Sequence, residues 1–334
     1  MFNNKIIFVT GGTGSFGKKF ISTVINKYKP KKIIVFSRDE VKQYEMQKKT
    51  YSNKTKIEYI IGDVRDYQRL ENSMQGSDFV LHAAALKQVP TAEYNPTEYI
   101  KTNINGAENI IRAAINTKVK LAMSLSTDKA SNPINLYGAT KLVSDKLFIS
   151  ANNSLSNNKT KFSVTRYGNV AGSRGSILPF FLECLDKKIN YFPITDKKMT
   201  RFWITLEQSC DFVLKNFFRM LGGEIFIPKI PSIYITDLAN ALDERKKHKI
   251  IGIRPGEKLS EIMFSYEDSR LVIEFDDHYV ISPTIKLQKN DSGFLKNKLG
   301  QKGKKLKKLF EYNSTTNKNF LSVKEIKNMN KKIT

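Results

Sequence analysis

Residues 9–20 read VTGGTGSFGKKF, and the spacing of their glycines decides how the rest of the chain is read. Gly11, Gly14 and Gly17 recur at every third position. In front of them KIIFVT (5–10) is a short apolar run of strand type, and behind them FGKKFISTVINKY has helical length. Glycine permits a tight turn and lets the backbone come close to a ligand. The helix that follows offers free N–H groups and a partial positive charge at its start, which suits an anion. A G-x-x-G-x-x-G loop between a strand and a helix therefore predicts a dinucleotide whose pyrophosphate rests on Gly11, Thr13, Gly14, Ser15, Phe16 and Gly17.

The same rhythm continues through the first half. KKIIVF (31–36), KIEYII (56–61), DFVLHAAA (78–85) and KLAMSLS (120–126) repeat the apolar strand type, and KFSVTRYGN (161–169) adds a sixth. Helix-length stretches separate them, among them 96–117 and about 136–152. Near-continuous apolar strands alternating with helices predict a parallel sheet covered on both faces, a doubly wound α/β fold of Rossmann type. After about residue 170 the glycines and prolines at Gly172, Gly175, Pro179, Pro193, Pro228, Pro231 and Pro255 break the pattern. Helices are expected at about 177–188, 205–221 and 235–245. The expected division is a nucleotide-binding domain over 1–170, rejoined by about 205–221, then a smaller substrate-binding lobe over 171–284. A basic C-terminal extension over 285–334 follows, in which Leu309, Phe310 and Phe320 point to local packing.

Composition narrows the class. Lys and Arg number 56 against 32 Asp and Glu in 334 residues, a net charge of +24. The lysines are spread along the whole length rather than gathered in a stripe, so the expectation is a solvated surface that attracts a phosphorylated substrate, not a nucleic-acid site. No apolar run approaches the roughly 20 residues of a membrane span. MFNNKIIFVTGG shows no apolar leader, so a cytoplasmic protein without a membrane partner is expected. Cys184, Cys210, His82, His248 and His278 have neither disulfide nor metal-ligand spacing, and no metal is expected. His82, at the end of a buried strand, reads as structural, and Trp203 as packing.

The second strand bears on the cofactor. An NAD site commonly places an acid at that strand's end, bonded to the ribose 2′-hydroxyl. Here the strand ends in Ser37 and Arg38, a hydroxyl and a guanidinium that suit a 2′-phosphate. Lys42 adds charge one turn on. NADP is therefore expected, with Asp39 as the residue that would favour NAD if it turned inward. Asp63 is placed to accept from an adenine amino group and Val64 to flank the ring. Ala83 gives a close approach, with Lys87 after it, and Leu125 and Ser126 end the fifth strand.

STDKASNPINLYGATK (126–141) holds the candidate chemistry. Tyr137 and Lys141, at i and i+4, share one helix face. An ammonium and an oxidised nicotinamide lower the pKa of a phenol and make it a base for a sugar hydroxyl.

With Gly11, Gly14 and Gly17 upstream, this Tyr-x-x-x-Lys pair resembles the extended short-chain dehydrogenase/reductase superfamily. More narrowly, TGGTGSFG, SRDE, HAAALKQVP, STDKASNPINLYGATK, TRYGNVAGSRGS, MTRFWI and IIGIRPGEKLSEIM resemble the inverting UDP-N-acetylglucosamine 4,6-dehydratase family, over about residues 5–284. The resemblance implies NADP, a homodimer or homohexamer, and the first step of pseudaminic acid synthesis for surface or flagellin glycosylation. It also implies oxidation at C4, loss of water across C5–C6, hydride return to C6 and inversion at C5. Within that chemistry Tyr137 is the base at C4, with Thr127 hydrogen-bonded to the same oxygen. Asp128 and Lys129 stand where C5-retaining dehydratases carry Asp-Glu. The expectation is Lys129 as the C5 base, its pKa lowered by burial and by Lys141 and the nicotinamide, and Asp128 at the C6 oxygen. For UDP-N-acetylglucosamine, Arg201 and Arg254 are candidates for the diphosphate and Glu257 for a ribose hydroxyl. The family pattern adds Asn169, Arg174, Ser176 and Thr195, with Lys87 near both ligands. The competing readings are a C5-retaining dehydratase, a 4-epimerase, and a non-catalytic NADP-sensing or nucleic-acid-binding protein.

Overall fold

The computed structural model describes residues 1–48, 55–153, 159–285 and 293–331. Parts of the expected C-terminal extension, 286–292 and 332–334, lie outside the described residues. The first half alternates as expected: β1 (Ile6–Thr10), α1 (Ser15–Lys27), β2 (Lys32–Ser37), α2 (Glu40–Gln47), β3 (Lys56–Ile61), α3 (Tyr67–Met74) and β4 (Phe79–His82). The short helices α4 (Val89–Tyr94) and α5 (Pro96–Tyr99) lead into α6 (Gly106–Asn116), β5 (Leu121–Thr127), α7 (Leu136–Ser150) and β6 (Lys161–Tyr167). β1 pairs in parallel with both β2 and β4, so the chain reverses its direction of travel across the sheet at β1. Ligands of open α/β sheets bind at such a switch point, beyond the carboxyl ends of the strands.

The sheet is ten-stranded, ordered from one edge as β3, β2, β1, β4, β5, β6, Ile225–Pro228, His278–Ile281, Val272–Glu274 and Lys304–Lys305. Ile225–Pro228 continues the parallel set beside β6, and the last three strands run antiparallel. Its two faces carry separate apolar clusters, one built around Phe8, Ile110, Phe148 and Phe162, the other around Phe20, Val24, Val213 and Phe217. The doubly wound parallel sheet is thus present, and segments from the second half of the chain complete it. Leu206–Arg219 packs on α1 through Phe217 and Phe20. The exposed lysines of Lys304–Lys305 close the sheet's outer edge, and charged side chains there deter pairing with a second chain.

One helix differs from the sequence expectation. The stretch 96–117 is not continuous: Ile100–Asn105 forms a π-turn between α5 and α6. Its Asn103 reaches back to the main chain of Leu86 at both N and O (2.9 Å each) and to Thr140 Oγ1 (3.0 Å). That side chain thereby ties the β4 exit loop to α7, and a widened turn is the local cost.

The remaining chain forms a small lobe over the carboxyl end of the sheet. Asn169–Val170, Thr200–Ile204 and Ser232–Tyr234 make a three-stranded sheet, and Tyr191–Ile194 pairs with Lys247–Ile250. Its core gathers Phe181, Phe192, Ile233 and Trp203, with Ile326 from the C-terminal helix Val323–Asn330. Cys184 and Cys210 are both free and buried. Among the described residues no helix is long and apolar enough to cross a membrane, and no group of His, Cys, Asp and Glu is placed to hold a metal.

His82 is fully buried, bonded to Thr10 Oγ1 at 2.9 Å and stacked on Phe148. Burial, helped by the charge of Lys141, lowers its pKa from 6.5 to about 3. Between these values the unfolded chain holds a proton that the folded one refuses, so stability falls as pH drops from about 6.5 towards 3. Thermal unfolding across that range should show a slope of up to about 1.4 kcal/mol per pH unit from this group, absent in His82→Gln.

Candidate active site

The glycine loop is built for close approach. Gly11 has φ +65°, and a Cβ there would lie 2.8 Å from the backbone of Ala83 and Ala84; one on Gly17 would lie 2.5 Å from Gly12 Cα. Thr10 Oγ1 accepts from the N–H groups of Ala83 and Ala84 (3.2 Å each), fixing the β4 exit against the loop. The start of α1 carries no side-chain cap, so its first N–H groups are left for another acceptor. These features fit a dinucleotide pyrophosphate.

At the other end of this groove Gln43 Nε2 donates to Ser37 Oγ (3.0 Å) and holds the β2 terminus. Asp39 does not turn into the groove as a free acceptor. Its carboxylate caps α2 by accepting from Lys42 N at 2.9 Å and also pairs with the Lys42 ammonium. Arg38 is half exposed, 3.4 Å from Asp63. Asp63 itself is held by Arg65 at 2.7 Å and stands off the cavity wall, which its neighbours Gly62 and Val64 line.

The catalytic candidates meet where β5 ends. Thr127 caps the tight turn Asp128–Ala130, and α7 begins after Asn135, whose side chain accepts from Gly138 N at 2.8 Å. The helix start sits directly on that turn: a Cβ on Gly138 would be 2.2 Å from the carbonyl oxygen of Lys129. Thr127 Oγ1 donates to Asp128 Oδ1 at 3.0 Å. The Lys129 ammonium lies 3.1 Å from Asp128 Oδ1 and 2.9 Å from Glu261 Oε1. Behind the site Asp145 Oδ2 takes hydrogen bonds from Ser126 Oγ (2.7 Å) and Arg166 Nη2 (3.0 Å), all three buried.

Electrostatics correct two expectations, that Lys129 and Tyr137 are both shifted downward. Burial alone would depress Lys129, and Arg201 adds to that, but Asp128 and Glu261 outweigh both and hold its pKa above the ordinary lysine range. Lys141 is not the neighbour that governs it. Burial likewise pushes Tyr137 up to about 12, against the opposing charge of Lys129. Burial lowers Lys141, with Asp145 opposing. Burial also lowers Lys87, with Arg174 and Lys129 contributing.

The small lobe supplies the facing wall. Lys87 Nζ donates to Arg174 O at 2.8 Å, and Arg174 reaches Thr13 O at 3.3 Å, linking lobe and glycine loop. Arg254 forks onto Glu257 at 3.0 and 2.7 Å, and Thr195 Oγ1 donates to the same carboxylate at 3.2 Å. Arg201 lies 3.8 Å from both Glu257 and Glu261. All of this borders one cavity of about 930 Å³, near the top of the usual range for ligand sites. Every residue expected from sequence to touch a ligand lines it except Asp63 and Thr195, which stands behind Glu257. Five buried oxygens of its lining residues have no hydrogen-bond partner: Thr102 Oγ1, Asp128 Oδ2, Asn169 Oδ1, Ser176 Oγ and Glu261 Oε2. Buried polar atoms are ordinarily paired, so this set marks a place for a hydroxyl-rich ligand. Sequence reasoning missed Glu261 and Asp145. The signal for Glu261 was a second acid four residues after Glu257 in RPGEKLSE; Asp145 sits four residues after Lys141.

The family model described as polysaccharide biosynthesis protein matches residues 7–283. An inverting UDP-N-acetylglucosamine 4,6-dehydratase from Campylobacter jejuni is 58% identical over 98% of this chain and 97% of its own. A UDP-glucose 4-epimerase from Rickettsia typhi is 41% identical over 98% of this chain and 96% of its own. The X-ray structure of Pen from Bacillus thuringiensis superposes with a TM-score of 0.89 at 36% identity, covering both chains completely.

Removing the Asp145 charge leaves Arg166 buried without compensation. Asp145→Asn should lower stability by about 3–5 kcal/mol in urea unfolding, because breaking one side of a buried pair costs that much.

Proposed function

The chain belongs to the polysaccharide biosynthesis protein family, and from that membership we propose that it is an NADP-dependent UDP-N-acetylglucosamine 4,6-dehydratase that inverts C5. The product on this reading is UDP-2-acetamido-2,6-dideoxy-β-L-arabino-hexos-4-ulose, the opening intermediate of pseudaminic acid synthesis. The observation that carries the reading is the Asp128–Lys129 turn, docked under the start of α7 and lining the cavity between glycine loop and arginine-bearing lobe. A 4-epimerase needs only Tyr137 and Lys141 at this site and has no use for an adjacent acid and amine. The same need for chemistry argues against a non-catalytic NADP sensor.

A nicotinamide held along the Gly11–Gly17 loop would supply the hydride chemistry, acceptance from C4 and return to C6, the return being matched by a proton delivered to C5. Tyr137, beside Thr127 and having first given up its own phenolic proton to solvent, takes the C4 hydroxyl proton as the C4 ketone forms. That ketone acidifies the C5 hydrogen. Asp128 and Lys129 rest as an ion pair 3.1 Å apart. Sugar binding displaces water, and a dry cavity favours neutral partners over a charged pair. One proton passing from Lys129 to Asp128 therefore prepares both groups, a free amine to take the C5 hydrogen and a carboxylic acid to protonate the departing C6 oxygen. Water leaves, and Lys129 ends as ammonium beside carboxylate.

Ser37 and Arg38 in the wall, with Asp39 occupied as a helix cap, favour a 2′-phosphate over a bare ribose. The proposed division is residues 1–170, rejoined by about 205–221, for the dinucleotide and 171–284 for the sugar nucleotide, with Ile225–Pro228, Val272–Glu274 and His278–Ile281 returning to the main sheet. The homodimer or homohexamer implied by the resemblance belongs to this proposal too.

Incubation with UDP-N-acetylglucosamine in deuterated water should give a product lighter by one water, with deuterium at C5 and inverted configuration there. A product of unchanged composition would mean an epimerase. Lys129→Met should abolish both dehydration and C5 labelling while NADP still binds; persistent labelling would remove Lys129 from its role. Arg38→Ala should weaken NADP roughly ten- to a hundredfold, as loss of a charge-assisted contact does, and leave NAD affinity nearly unchanged.

A further inference from the structure

We propose that Glu261 is the positioning residue for Lys129, and that the C-terminal segment around Ser314 holds Glu261 in place. The inference rests on the reading of Lys129 as the C5 base and assigns a task to a part of the chain that the chemistry above leaves idle. Glu261 is 1% exposed, and its Oε1 lies 2.9 Å from Lys129 Nζ. Its Oε2 is buried without a hydrogen-bond partner, and the residue lines the cavity. A buried carboxylate costs free energy unless its charge is answered. Here the answering charges are Lys129 and, at 3.8 Å, Arg201.

Glu261 precedes a short strand, Ile262–Phe264, whose partner is Tyr312–Asn313 from the C-terminal region. Ser314 fixes the Glu261 backbone from both sides: Glu261 N donates to Ser314 Oγ and Ser314 N donates to Glu261 O, both at 2.9 Å. The same hydroxyl lies 2.8 Å from Thr200 Oγ1, next to Arg201. Tyr312 seats this segment with a hydroxyl bonded to Ile230 N and O at 3.0 and 3.1 Å. Ser314 and Tyr312 are buried, so the segment is packed structure behind Glu261 and not a loose basic tail. The path of constraint runs from Ser314 through Glu261 to Lys129 Nζ.

The test is the pH dependence of C5 exchange with UDP-N-acetylglucosamine in deuterated water. Lys129 faces Asp128, Glu261, Arg201, Tyr137, Lys87 and Lys258. Of these, Glu261 and Asp128 are the groups that favour its ammonium. The reactive state, amine beside carboxylic acid, holds the same single shared proton as the resting pair, so activity falls with rising pH along the limb where the pair loses that proton to solvent. Glu261→Gln removes one stabilising charge, and the limb should move about one unit or more to lower pH. Turnover at the optimum should fall on the order of ten- to a hundredfold from misplacement of the amine, with NADP affinity unchanged. Glu261→Asp, which keeps the charge, should hold the limb near its native position. Ser314→Ala should lower turnover in the same direction, and the double variant should be no worse than Glu261→Gln alone, because contacting residues acting through one group are not additive. An unmoved limb in Glu261→Gln with normal thermal melting overturns the role of Glu261. Losses that multiply in the double variant overturn the part given to Ser314. If the Gln variant does not fold, the Asp and Ser314 variants decide by the same readouts. Failure of the unmodified enzyme to dehydrate the substrate overturns the parent reading and this inference together.

Discussion

A carbonyl oxygen pressed against a glycine organises this molecule. The backbone of Lys129 occupies the space that any side chain at Gly138 would need. That contact sets the first turn of α7 on the turn ending β5, and it brings a phenol, an amine and a carboxylate from two elements into one wall. Asn135 closes the junction by capping α7 and donating to Gly256 O in the small lobe at 2.7 Å. The same few atoms therefore fix the helix, the catalytic turn and the approach of the lobe.

The charges follow from that geometry. A lysine brought between two buried carboxylates rests as an ammonium, whatever its task during turnover. A tyrosine in the same pocket rests as a phenol. Both groups are thus held in the wrong protonation state for base chemistry until a ligand fills the cavity and changes the local dielectric and charge. Oxygens of Thr102, Asp128, Asn169, Ser176 and Glu261, all cavity-lining residues, are buried without a hydrogen-bond partner.

The C-terminal region shows how a peripheral segment becomes part of a centre. Its lysines, which give the sequence its most basic run, cover a sheet edge. Its small polar residues do the positioning, through Ser314 on Glu261 and Asn317 on Ile230 O and Ser232 Oγ at 2.9 and 3.0 Å. Phe320 stacks on Tyr234 and Phe310 meets Phe264 edge-on, so the apolar residues there fasten the segment to the lobe.

By itself the sequence determined what depends on local pattern. The glycine spacing, the apolar strand runs and the Tyr-x-x-x-Lys step are short-range features, and each names an element and a face without reference to the rest of the chain. They sufficed for the parallel sheet and the glycine loop with its flanking cavity residues, whereas the lobe residues Asn169, Arg174 and Ser176 were reached only through the family resemblance. Only the tertiary structure decided the partners of those residues. Glu261 lies 132 positions from Lys129 in the sequence, and its spacing from Glu257 marks an acid without naming Lys129 as its partner. The direction of the Lys129 and Tyr137 pKa shifts, the withdrawal of Asp63 behind Arg65, the capping role of Asp39 and the service of Ser314 all depend on which groups end up within a few ångströms. Those distances are set by packing across the whole chain, where charge interactions are strong because water is excluded, and no local window of residues contains them.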